Sequence, residues 1–184
     1  MKKTRLEELY NSQIRPNLKK ELGLNFMEVP KISKIVLNVG CKSAISDSKV
    51  LNDIVDVLGK IAGQAPVKTI AKKSIAGFKL REGMSIGAMV TLRKSKMYEF
   101  LDRLINLALP AERDFQGVKR SFDRAGNLNL GIREWIIFPE VDFGVGEKVF
   151  GLNITINTTA KTDEAAYELL KGFGMPFRKE NKTA

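Results

Sequence analysis

The chain is 184 residues long and 43% hydrophobic, enough for one substantial core and short for two, so residues 1–184 are expected to form a single domain. Lys and Arg number 31 against 21 Asp and Glu, a formal charge of +10 whose simplest reason is a polyanionic partner. Without histidine the chain cannot build Ser-His-Asp or Cys-His sites, and Cys41 has neither a disulfide mate nor a CxxC partner for zinc, so no metal or cofactor is expected.

Met1-Lys2-Lys3 leads into a charged amphipathic stretch and not into the apolar core of a signal peptide, and no run approaches the roughly 18 apolar residues of a membrane span. A cytoplasmic protein without a membrane partner is expected. Thr4-Arg5-Leu6-Glu7 has the spacing of a capping box, and Leu6, Leu9, Tyr10 and Ile14 predict a helix that Pro16 kinks or interrupts. A strand follows, with Ile35, Leu37 and Val39 on one face and Lys34, Val36 and Asn38 on the other. Asp47 and Ser48 are candidate N-caps for a helix that buries Leu51, Ile54, Val55, Leu58 and Ile61 and ends near Gly63.

Pro66 to Ile70 predicts a short strand, and Ala88, Val90 and Leu92 alternate with Met89, Thr91 and Arg93 in the next. Met97, Leu101, Leu104, Ile105 and Ala108 mark a helix expected to stop at Pro110. Two further strands carry Leu128, Leu130 and Ile132, then Leu152, Ile154 and Ile156, each alternating with polar residues. Gly144 to Gly151 between them fits no phosphate-binding loop and reads as a connection. The last helix starts at Thr162, places Asp163 and Glu164 at its positive end, buries Ala166, Leu169, Leu170 and Phe173, and closes at Gly174 and Pro176.

Strands that alternate cleanly need cover on one side only, which predicts an α+β fold: a single, largely antiparallel sheet of about five strands, helices on one face, the other face open. Asn is disfavoured in strands, yet Asn38, Asn127, Asn129, Asn153 and Asn157 all take outward positions. Amides and hydroxyls donate and accept at once, which suits ribose hydroxyls and base edges of folded RNA. Some of these residues can equally mark strand ends, and Asn127 beside Gly126 reads as a turn residue. Asn38 and Thr91 lie mid-strand, each with a cation on the same face, Lys34 and Arg93, and are the stronger RNA candidates. No outward strand position is Phe or Tyr, which favours recognition of duplex or shape over stacking on single strands.

The stretch AKKSIAGFKLREGMSIG, Ala71 to Gly87, combines Lys72, Lys73, Lys79 and Arg81 with three glycines, the makeup of a loop that lays cations along phosphates. Phe78 within it can pack on a sugar or base, or fold back into the core. A second polar loop, Ala111 to Asn127, carries both signs of charge, and a protein surface suits it as well as RNA does. No paired carboxylates converge on a partner.

Several segments, in order along almost the whole chain, are similar to those of the large-subunit ribosomal protein family numbered five, of bacterial type: VPKISKIVLNVG (Val29 to Gly40), IAGQAP (Ile61 to Pro66), AKKSIAGFKLREG (Ala71 to Gly83), VTLR (Val90 to Arg93), RDFQG (Arg113 to Gly117), GNLNLGIREWIIFPE (Gly126 to Glu140), LNITINTTAKTDEAA (Leu152 to Ala166) and FGMPFRK (Phe173 to Lys179). The resemblance implies a non-enzymatic, ribosome-bound protein that supports translation by docking its sheet face on 5S rRNA in the central protuberance, near 23S-type rRNA and the other proteins of the 5S particle. Lys34, Asn38, Gln64, Lys68, Thr91 and Arg93 are then the rRNA-binding candidates. Lys72, Lys73, Ser74, Phe78, Lys79 and Arg81 form a loop near P-site tRNA, while Arg113, Asp114, Asp142 and Phe143 approach the small-subunit head, where small-subunit ribosomal protein thirteen is the expected neighbour. Trp135 stands where the family often has a polar residue, and DFGVGEKVFG is less charged than the usual connection. A free-standing RNA-binding module shares the charge and the sheet, and an RNA enzyme working through Lys or Asp is the other rival; copurification with ribosomes and turnover of an RNA substrate separate them.

Overall fold

The computed structural model describes residues 4–45, 47–141 and 150–178. Its strands are β1 (Ile32–Gly40), β2 (Val67–Ile70), β3 (Ser85–Leu92), β4 (Leu128–Ile132) and β5 (Leu152–Thr158), joined in one open antiparallel sheet of order β2-β3-β1-β5-β4. The helices are α1 (Arg5–Leu9), α2 (Arg15–Leu22), α3 (Ser48–Ala62), α4 (Lys94–Arg103), α5 (Leu109–Ala111) and α6 (Asp163–Gly172). The expected α+β architecture is the one observed.

By compactness the chain divides into two units, residues 1–35, 93–130 and 155–184, and residues 36–92 and 131–154. The first unit holds the proline-containing helices: Pro16 does not interrupt its helix, which runs on to Leu22, whereas the later helix ends at Ala111, one residue past Pro110, as expected. A π-helical turn, Tyr10–Ile14, precedes Pro16, and another, Leu104–Ala108, precedes Pro110. Proline lacks an N–H and its ring crowds the carbonyl four residues back; the wider π turn moves that carbonyl aside and lets the chain stay helical. Thr4 occupies the N-cap position of α1, but its hydroxyl makes no capping bond and is buried without a partner among the described residues, so the capping box is not formed. Thr162 does cap α6, accepting from the Ala165 N–H.

The second unit is built on α3. Asp47 accepts from the Lys49 N–H at 2.9 Å, and Gly63 closes the helix in the left-handed conformation. Leu51, Ile54, Leu58 and Ile61 are buried as the spacing predicts, while Val50 and Val57 join them and Val55 stays half-exposed. Full burial of each such side chain contributes about 1.5–3 kcal/mol, so this face holds α3 against β3.

Candidate nucleic-acid interface

From Ile35 onward β1 alternates: Ile35, Leu37 and Val39 are fully buried, and Asn38 lies between Leu37 and Val39 on the half-exposed side. In β3, Ala88, Val90 and Leu92 are buried while Met89 and Thr91 face outward. The antiparallel register sets Val67 beside Met89 and Thr69 beside Gly87, extending the outward face of this unit to the edge strand. Neither the Asn38 amide nor the Thr91 hydroxyl bonds to another described residue, so no described group takes up their capacity to donate and accept.

Gln64 follows the α3 cap, and its amide donates to the Thr91 carbonyl at 3.3 Å, which sets it at the end of the same strand. Lys68 points the other way. It pairs with Ala88, which is buried beneath α3, and its ammonium donates to Asn52 Oδ1 at 2.7 Å. Because period two sends neighbouring residues to opposite faces, Lys68 does not join Asn38 and Thr91. Lys34 and Arg93 belong to the first unit; Lys34 is half-exposed in β1, and Arg93 is exposed at the N-cap of α4, just past the end of β3.

β3 begins at Ser85, earlier than alternation alone indicates, and the basic stretch before it is a hairpin. Ala71 and Gly83 close its base, Ile75 and Leu80 exchange backbone bonds of 2.9 and 3.1 Å, and Lys79 turns the tip at φ 53°. The Ser74 hydroxyl accepts from the Glu82 N–H at 2.9 Å, a structural role. Lys72, Lys73, Lys79 and Arg81 are all exposed, and Phe78 is 67% exposed instead of folding back into the core. Val67, equally exposed, was not legible as part of the outward face, because a four-residue strand carries too little alternation to show its period.

In the first unit, two of the outward asparagines serve the fold. Asn129 accepts from the Thr155 hydroxyl at 2.8 Å, and Asn127 bonds to Asp123 and to the Thr158 N–H, the turn role expected of it. The Asn127 side-chain amide, then the Asn127 and Ala125 N–H groups, hold the Asp123 carboxyl below the ordinary aspartate range. A depressed value stabilises this turn above the unfolded pKa and loses that contribution as pH falls through the folded one. In an NMR titration Asp123 is therefore expected to have a midpoint below that of a free aspartate, with the Ala125 and Asn127 amides losing protection over the same pH range. Tyr98 is pushed up to about 12, first by burial and then by Tyr10 and Glu7, so it stays neutral at physiological pH.

Arg113 and Asp114 are exposed in the polar loop, Asp114 at φ 56°. Beyond them the loop is fastened to the C-terminal segment by a parallel bridge between Val118 and Phe177. Asp142 and Phe143 lie outside the described residues. Among the described residues no group of three or more Asp, Glu or Cys side chains is placed to hold a metal, and no helix is long and apolar enough to cross a membrane.

These features define an α+β sheet protein that presents the Asn38 amide and the Thr91 hydroxyl, unbonded among the described residues, together with a cation-bearing hairpin. Residues 25–81 match the family described as ribosomal protein L5, and residues 85–177 match the family describing the C-terminus of the same ribosomal protein. The large ribosomal subunit protein uL5 of Syntrophotalea carbinolica is 60% identical over 178 residues, 96% of this chain and 97% of that one. Its counterparts from Geobacter sulfurreducens (58% identical, 95% and 98% of the two chains) and Acidobacterium capsulatum (60%, 95% and 97%) are similar to the same extent. The chain belongs to the ribosomal protein L5 family, whose members are structural proteins of the large ribosomal subunit and not enzymes.

Proposed function

We propose that the chain, on the cytoplasmic ribosome, binds 5S rRNA in the central protuberance through the outward face bearing Asn38 and Thr91, with Gln64 beside them. The observation that carries this reading is that Asn38 and Thr91 are outward, partly exposed and free of internal hydrogen bonds among the described residues. Shape and hydrogen bonding set the register on the RNA, and the cations collect phosphates and release counterions. Lys34 and Arg93 are assigned to RNA as well, each on its own unit, and 23S-type rRNA and the other proteins of the 5S particle are the surrounding partners. Lys68 enters only as a positive charge, its ammonium being held by Asn52.

The hairpin with Lys72, Lys73, Lys79, Arg81 and the exposed Phe78 extends toward P-site tRNA, with Ser74 holding its shape. Arg113 and Asp114, together with Asp142 and Phe143, approach small-subunit protein thirteen. The chain works as a single domain, a reading supported by β1, β4 and β5, each of which runs through both compact units, so that neither unit contains a complete sheet.

Purified protein is expected to bind 5S rRNA in preference to an unrelated RNA duplex of equal length. Lys72→Ala should leave that affinity nearly unchanged while weakening tRNA-dependent steps in assembled ribosomes, because one phosphate contact in the hairpin is lost, about 0.9 in the salt slope if the site is a duplex. Filter binding and a P-site tRNA assay on the same variant separate the two; an equal loss in both contradicts the division.

A further inference from the structure

We propose that the turn carrying Phe26 and Met27 is a separate RNA contact that takes an unpaired nucleobase on the free face of the Phe26 ring. The Arg15 guanidinium lies over this ring, 3.5 Å from its centroid, and an Arg15 terminal nitrogen donates to the Phe26 carbonyl at 3.0 Å. Two contacts to one residue fix the ring, yet it remains 50% exposed, and Met27 beside it is 88% exposed. The turn itself is held: the Glu28 N–H donates to the Asn25 carbonyl at 2.9 Å, Lys161 pairs with Glu28 at 3.0 Å, and the Tyr10 hydroxyl anchors the Pro30 carbonyl at 3.0 Å. Leaving two large apolar side chains in water on an ordered turn costs hydration free energy that a ligand can recover.

Charge decides which ligand. Arg15 and Lys19 stand four residues apart on one side of α2, Lys31 follows the turn, and Lys161 flanks it, ion-paired with Glu28. A ring with a cation on one face and open space on the other is a platform for a second π-surface, and the lysines around it suit the phosphates on either side of a stacked base. An acidic protein surface would use the same cations but has no comparable need for a flat, cation-backed ring.

The proposal depends on the ribosomal assignment but not on the Asn38 and Thr91 face. Its test is Met27→p-benzoylphenylalanine, a change at an almost fully exposed position, in ribosomes purified from cells that carry only this copy. On irradiation the chain should crosslink to RNA, with the adduct trimmed by ribonuclease to a short nucleotide remnant on the chain; Phe26→Ala should lower the yield several-fold and Phe26→Trp should restore it. A crosslink to protein alone, no crosslink, or a yield indifferent to Phe26→Ala overturns the proposal while leaving the chain in the ribosome. Absence of the chain from the purified particles overturns the ribosomal reading with it.

Discussion

Replacing Asn38 by Ala and Thr91 by Val together is expected to weaken binding of the isolated protein to 5S rRNA by on the order of a hundredfold. Each substitution leaves the RNA group opposite it desolvated and unpaired, a loss of about 1–2 kcal/mol, and 1.4 kcal/mol corresponds to a factor of ten. Neither side chain bonds to another described residue, so the thermal midpoint of the free protein should hardly move. The salt dependence should be nearly unchanged as well, because no cation is removed. Filter binding across a salt series, beside a melting curve, reads all three quantities. Undiminished affinity would remove Asn38 and Thr91 from the interface, and a large drop in melting temperature would make them parts of the fold.

Gly87→Val acts on the same face through the backbone. A Cβ at this position would lie 2.6 Å from the Val39 carbonyl oxygen and 2.9 Å from the Thr69 hydroxyl, where Gly87 pairs with Thr69. The nearer obstacle is main chain and cannot rotate away, so β1 and β3 must separate or the strand must shift. Nearby, Cys41 N–H donates to the Ile86 carbonyl at 2.9 Å, a bond that the same movement strains. A destabilisation of about 3 kcal/mol is expected, the upper end of the usual cost of forcing extra atoms into a packed site. Urea unfolding should show a lower midpoint with an unchanged slope, and 5S rRNA affinity should fall because Asn38 and Thr91 sit on the two strands being parted. A variant as stable as the natural chain would mean that the strands approach less closely than described.

Much of the fold was legible in the residues because its signals are local and periodic. Asp47 and Gly63 bracket α3, Thr162 caps α6, and the buried alternation of Ile35, Leu37 and Val39 requires a one-sided strand whatever surrounds it. The same logic put Asn38 and Thr91 outward. It was less reliable where one residue had to stand for a whole local geometry. Thr4 had the spacing of a capping box without the bond, and Pro16 does not interrupt its helix because a compensating π turn, which leaves no pattern in sequence, precedes it.

The amino-acid order by itself determined the strand faces, the principal helices, the excess of positive charge and the family, since each depends on neighbours along the chain or on the succession of motifs. Only the folded structure decided which outward polar groups remain unbonded. Asn129 and Asn127 are consumed by Thr155, Asp123 and Thr158, partners brought near by strand pairing and turns, while Asn38 meets none among the described residues. Tertiary contact likewise turned Lys68 toward Asn52, kept Phe78 in solvent and set Arg15 on Phe26. The reason is physical: periodicity tells a side chain which way to point, but whether it finds a partner there depends on residues distant in sequence.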